Sequence, residues 1–341
     1  MSAPPAPVSF AAVAQEKKKK AELVSVQVEG QVILKIAKHC REHASGTNVV
    51  TGQLLGLDVG QTLEVTDCFP FPGNEDEAEG SAEGESYQLE MMRCLREVNV
   101  DNNMVGWYQS TVSGSYQVVE IIDTFVNYLE NLERCICIVY DTLAASGGSL
   151  GLKAIRLSDS FVKAFREGSL TIEKARAGNL SWRETFQEIP ISVHNDALAT
   201  ALAATITPAA HVSSRDIARL TLAGAPVLER NLEFLNDCLD DVVVEQNKLG
   251  GYHTAVRRQQ QAIAGWRAQR RQENSARRTA GEEPLPEDPP EGLFKMPAEP
   301  GALEGMLLLT QMSSYCEAID RASTQAIQRL VIAESLQKAR K

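Results

Sequence analysis

The sequence predicts a mixed α/β domain followed by an all-helical region, on three observations. Between Leu23 and His194, stretches of two-residue apolar alternation trade places with stretches of helical spacing. One run, Cys135 to Tyr140, is apolar on both alternating faces, as a strand in the middle of a sheet is. Past Asp196 the strand signals stop and only helix-period segments remain.

In order along the chain, Val24, Val26 and Val28 alternate as a strand, and after Gly30 the residues Val32, Ile33, Ile36, Ala37 and Cys40 recur at helical spacing up to Ser45-Gly46. Val49 to Leu57 and Leu63 to Phe69 read as a hairpin across Asp58-Val59-Gly60-Gln61. Asn74 to Glu85 carries six acids and no base, a self-repelling loop, and Tyr87 to Val98 is a helix. A short strand, Met104 to Tyr108, precedes a helix through Val118, Ile121, Ile122, Phe125 and Leu129. The central strand Cys135 to Tyr140 follows, then a strand from Leu150 to Leu157, two short helices, and one outlying strand from Phe186 to Val193 around Pro190. The expected divisions are a disordered arm over 1–22, the α/β domain over 23–195, a helical region over 196–280, a Pro-rich acidic linker over 281–300 and a C-terminal helix over 301–341. The arm, the acidic loop and the linker are expected to be mobile, because charge and proline leave them little to bury. Within the helical region Ser214-Arg215-Asp216 is read as a helix start, and Pro226 as a kink near it.

With 43% hydrophobic and 23% charged residues the chain has a globular balance, and 34 bases against 45 acids argue against a non-specific nucleic-acid coat. No apolar run approaches the ~20 residues of a membrane span, and the start lacks a secretory apolar core, so a cytoplasmic location is expected. The seven cysteines are scattered without a Cys-x-x-Cys pair and read as reduced thiols. No phosphate loop, dinucleotide fingerprint or nucleophile elbow is present. His39-Cys40-Arg41-Glu42-His43 fits H-x-x-E-H, a two-histidine zinc pattern, but it falls in the last turn of a short helix, where histidine also suits the negative helix end.

Val105-Gly106-Trp107-Tyr108-Gln109-Ser110-Thr111, after the block strand, helix, strand, strand, helix, resembles the MPN (JAB/JAMM) family. Metalloprotease members of that family carry Gly-Trp-Tyr-His-Ser-His-Pro at this place, hold zinc with the two histidines and an aspartate, and use a glutamate on an earlier strand as acid/base. The resemblance implies an MPN domain with a mixed central sheet and flanking helices. It places the zinc histidines on Gln109 and Thr111, the proline on Val112, the serine on Val119, the aspartate on Ile122, and the glutamate on Val49. An amide, an alcohol and three aliphatic side chains lack the imidazoles and carboxylates a catalytic zinc needs, so no catalytic residue, metal or cofactor is expected. Cys68 to Pro72, Tyr87 to Met92, the Gly-Trp-Tyr-Gln-Ser-Thr strand, Gly148 to Ala154 and the Gln/Arg-rich Gln259 to Arg278 narrow the resemblance to the non-catalytic h-type members of eukaryotic translation initiation factor 3.

That resemblance implies a scaffold subunit supporting recruitment of mRNA and the 40S ribosomal subunit. The implied partners are the f-type MPN subunit of the same factor as heterodimer partner and PCI-domain subunits in a helical bundle. The rival readings are a zinc-dependent isopeptidase, with a site rebuilt around His39 and His43, or an MPN subunit of the proteasome lid or signalosome. From the residues alone, the apolar stripes through Ile217, Leu228, Leu232, Leu235 and Leu239, and through Leu307, Ile319, Ile327 and Leu330, need burial by other helices. The C-terminal helix is expected to dock outside the chain's own core. Seven arginines between Arg257 and Arg278, against the single Glu273, could contact RNA phosphates or pair with the acidic linker; both readings stand.

Overall fold

The computed structural model describes residues 23–43, 49–71, 82–98, 103–111, 114–146, 150–168, 170–205, 225–281, 283–290 and 293–340. The arm over 1–22, most of the acidic loop and the Ser214-Arg215-Asp216 start with Ile217 lie outside the described residues. The chain forms two compact bodies that interleave in sequence. One holds the described residues of 23–114, 124–156 and 187–205; the other holds those of 115–123, 157–186 and 225–340. Among the described residues strands end at His194, where the sequence suggests, but compactness assigns 157–186 to the helical body.

The first body is built on β1 (Ser25–Glu29), α1 (Gly30–His43), β2 (Thr51–Val59), β3 (Thr62–Pro70), α2 (Ala82–Glu97), β4 (Met104–Thr111), α3 (Val119–Asn131), β5 (Ile136–Asp141), α4 (Thr142–Ser146) and β6 (Leu152–Leu157). Two further strands, β7 (Phe186–Ile189) and β8 (Ile191–His194), complete one mixed sheet in the order β7-β6-β5-β4-β2-β3-β1-β8. The hairpin β2–β3 is antiparallel with an irregularity at Leu55/Gly56, and β4 runs antiparallel to β2 and parallel to β5. As its composition demands, β5 lies inside the sheet with Ile136 to Val139 all buried.

The aliphatic residues of β1, β3, β4 and β5 make one core with Val32, Ile36 and Cys40 of α1. On the smaller core, Leu55, Phe69 and Phe71 are covered by Tyr87, Met91, Met92 and Leu95 of α2 and by Met104.

Two local expectations change. The helix expected from Tyr87 starts at Ala82, so the end of the acidic loop belongs to it. The single strand expected around Pro190 is two strands at opposite edges of the sheet, with Pro190 the one residue between them. Proline has no N–H for a ladder, but its carbonyl accepts from Val26 N at 3.0 Å, which turns the chain onto β1. The short α4 is held by Asp141, whose carboxylate accepts from the N–H groups of Leu143 and Ala144 at 2.9 and 3.0 Å.

The second body carries α5 (Asp159–Arg166), α6 (Ile172–Ala177), a 3-10 turn (Trp182–Glu184), and the long helices α8 (Ala225–Ala280) and α9 (Leu303–Arg340). In the first body, α7 (Ala197–Thr205) opens the stretch expected to be helical. Pro226 does not kink α8; it stands in the first turn, where its missing N–H has no intrahelical partner to lose. The N-terminal half of α9 is not a detached docking element. Met306, Leu307 and Tyr315 are buried, Tyr315 stacks on Phe234 of α8 with ring centroids 5.7 Å apart, and Thr310 Oγ1 donates to Trp182 O at 3.0 Å.

The expected mobile linker is also different. Residues 283–290 and 293–300 lie back along α8: Asn274 Nδ2 donates to Leu285 O and Leu285 N donates to Asn274 Oδ1, both at 2.8 Å, while Gln259 Nε2 donates to Lys295 O at 3.2 Å. Thr171 and Gly301 then form an antiparallel bridge that leads into α9. Proline removes N–H donors, so a segment with six prolines cannot make a regular ladder and is held at these single points.

Candidate functional site

The strand β4 positions every side chain of the Gly-Trp-Tyr-Gln-Ser-Thr motif. Gly106 stands at φ 151°, and a Cβ there would sit 1.8 Å from Ile136 O, so the strand requires glycine where it passes β5. Trp107 is buried between Phe125, edge-on at 4.5 Å, and Tyr128, stacked at 5.0 Å. Opposite it in register, the buried Gln53 donates from Nε2 to Gly106 O at 2.8 Å and accepts at Oε1 from Tyr128 O–H at 2.9 Å. Tyr108 faces the other way, its ring lying over Gly52, where a Cβ would come within 2.4 Å of Oη. Its hydroxyl meets His39 Nδ1 at 2.8 Å. Burial raises the phenol pKa above its ordinary value.

At the end of the strand, Ser110 is tied twice to Val50: Ser110 N donates to Val50 O, and Ser110 Oγ accepts from Val50 N, each at 2.8 Å. Gln109 stands opposite Thr51, and Thr111 pairs in register with Asp141. Val49, Gln109 and Thr111 therefore share one end of the sheet. Val49 is 48% exposed, Gln109 half-buried and Thr111 buried, and Thr111 O accepts from Thr142 Oγ1 at 3.2 Å. The other two expected positions, the half-buried Val119 and the fully buried Ile122, lie in the first turns of α3. Asp123, one step on, is exposed. The donor set at these five positions is one amide and one alcohol, which does not fit a zinc ion with its preference for imidazole, thiolate and carboxylate.

The H-x-x-E-H histidines end α1, their rings 4.9 Å apart. His39 Nδ1 is paired with the Tyr108 hydroxyl, and His43 Nδ1 lies 3.3 Å from His39 O. Glu42, which would activate a zinc-bound water, reaches Lys38 at 4.0 Å instead. Desolvation, with a smaller contribution from the neighbouring His43, lowers the His39 pKa from its ordinary value. Among the described residues no group of three or more His, Cys, Asp or Glu side chains could hold a metal ion. The thiols of Cys40 and Cys68 are pushed up to about 12 by burial, so neither is a thiolate nucleophile at neutral pH.

The sheet body matches a family model described as JAB1/Mov34/MPN/PAD-1 ubiquitin protease over residues 21–131, and residues 145–341 match one described as the C-terminal region of eIF3h. The H subunit of eukaryotic translation initiation factor 3 from Arabidopsis thaliana is 52% identical over 91% of this chain and 92% of its own length. The chain belongs to the H-type family of eukaryotic translation initiation factor 3 subunits. Relatives named for the same subunit from Nematostella vectensis and Danio rerio are 38% and 36% identical, each over 92% of this chain and over 94% and 93% of their own lengths. The MPN fold of the family is the mixed sheet with flanking helices seen here, followed by the helical region.

The helical positions expected to meet partners divide. Leu307 is buried within this chain and leaves the set. Leu228, Leu235 and Ile319 are half-buried, and Leu232 and Leu239 are exposed. Ile327 and Leu330 on the distal half of α9 are 62% and 56% exposed, with Val331, Ile332 and Leu336 beside them. Sequence reasoning missed the clamp between Asn274 and Leu285; its only signal was an asparagine, a poor helix former, inside a long helix. It also missed the pairing of His39 with Tyr108, two residues of one motif each, which no spacing rule connects.

Proposed function

We propose that this chain is a non-catalytic scaffold subunit of eukaryotic translation initiation factor 3, supporting recruitment of mRNA to the 40S ribosomal subunit in the cytoplasm. The observation that carries the reading is the conflict between scaffold and site. Gly106, Trp107, Tyr108 and Ser110 hold the end of β4 in place, and the side chains it presents there, Gln109 and Thr111 beside Val49, carry no metal-binding chemistry. Ile122, buried where an aspartate would be needed, supports the same reading. With the metal chemistry gone, the MPN body serves to pair with another MPN subunit, the f-type one, and the distal helices to join PCI-domain subunits in a bundle. Leu232, Leu239, Ile327 and Leu330 are the side chains proposed to be covered there, because each leaves a large apolar surface in water in the single chain. No helix among the described residues is long and apolar enough to cross a membrane.

The test is elemental analysis and an isopeptidase assay on the purified chain, with and without Gln109→His and Thr111→His. No stoichiometric zinc and no cleavage are expected from either protein, since the carboxylates stay absent. About one zinc per chain, lost together with activity in His39→Ala, overturns the proposal. Expression of the tagged chain, followed by identification of what co-purifies, tests the partners.

A further inference from the structure

We propose that the acidic segment 283–290 is a displaceable cover over an arginine face on α8, and that the face beneath it takes single-stranded RNA. This goes beyond the scaffold role and does not depend on it.

Arg267 Nη2 lies 3.1 Å from Asp288, and Arg271 Nε lies 3.5 Å from Glu287. One helical turn separates the two arginines, so the segment meets them as an anion meets a ridge. Between them Arg270 lies over the Trp266 ring at 4.8 Å and reaches Glu273 at 3.2 Å. The segment carries negative charge where a nucleic acid would carry phosphate. Its hold is uneven: all four paired side chains are about half exposed or more, Asp288 most of all at 87%, so both ion pairs are weak and screened by salt. The buried Asn274, bonded to both polar backbone atoms of Leu285, is the firm point. A cover of this kind shields the face from dilute anions. A strand of RNA, with a phosphate at every nucleotide, competes for the same arginines several at a time and gains by releasing counterions. The observations favour RNA over an acidic protein because the cations are arginines grouped around a tryptophan: a base can stack on that indole and guanidinium, as acidic side chains cannot.

The experiment titrates a short fluorescein-labelled oligouridylate into the full-length chain, into Asn274→Ala, and into Glu287→Gln with Asp288→Asn. Both variants should bind the RNA about tenfold more tightly than the unchanged chain at low salt, with a log–log salt slope steeper by about 0.7 for each arginine released. Adding Arg267→Ala with Arg271→Ala to either variant should abolish the gain. If Asn274→Ala does not fold, the charge-neutral pair decides alone. Equal RNA affinity of the neutral pair and the unchanged chain overturns the proposal. So does a neutral pair that ignores RNA but binds a labelled copy of the peptide 283–290, which would assign the face to acidic proteins.

Discussion

The core of the sheet and the distal half of α9 are both rich in large aliphatic side chains, and they treat them in opposite ways. Ile136, Ile138, Val26 and Val28 are sealed from water, while Ile327, Leu330, Val331 and Ile332 stand more than half exposed. A sheet covered by α1 and α2 completes its own burial. A helix that runs past the last residue able to pack on it does not: the contact between α8 and α9 is sealed at Tyr315, and the aliphatic residues farther along keep their apolar surface. The first region seals its aliphatic side chains within this chain, and the second leaves them in water.

The comparison breaks most sharply at Trp107. Trp107→Ala should lower unfolding free energy by ~3–5 kcal/mol, because it empties the space between Phe125 and Tyr128, as equilibrium denaturation will show. A loss under ~1 kcal/mol would mean that the motif strand is not the keystone of the sheet. Ile327→Asp with Leu330→Asp is the counterpart. In the isolated chain it should shift stability by no more than ~0.5 kcal/mol, and in cells it should lower recovery of the chain with its partner subunits at least about tenfold. Undiminished recovery would leave the exposed stripe without a purpose.

Smaller effects sharpen the sheet side. Tyr108→Phe removes one buried hydroxyl and its bond to His39, and should cost ~1 kcal/mol in the same denaturation measurement. The smallest is a pH effect at His39. Its folded pKa lies below the unfolded value, so folding favours the neutral ring. The resulting stability is fully present above the unfolded pKa near 6.5 and fades as pH falls through the lower folded value. Denaturation midpoints taken from neutral to mildly acid pH should therefore fall less steeply for His39→Gln than for the unchanged chain. Parallel curves would place that ring in water.

Much of the sheet was legible because its periodicity is short-range: the hairpin across Gly60, the sealed strand at Ile136 and the motif strand follow from residues that touch their own neighbours. The five positions proposed to replace a zinc site were read for a different reason, through the motif that frames them. What stayed hidden depends on pairings between remote residues. Pro190 signalled an edge strand correctly but could not say that it divides two edges. The run of prolines and acids signalled a mobile linker by composition, and one hydrogen bond donated and one accepted by Asn274, together with arginines the composition already contained, hold it along α8 instead. On the last helix the apolar spacing was plain, but only packing shows that Leu307 faces inward while Ile327 does not.

The joint at Pro190 has a mechanical side. Because the strands flanking it occupy the first and last places of an eight-stranded ladder, a single residue ties the two margins of the sheet together. Fraying at one margin pulls directly on the other, so two edges that are remote along the hydrogen-bond ladder should open and exchange their amide protons as one unit, and the sheet loses the independent loose ends from which unzipping ordinarily begins.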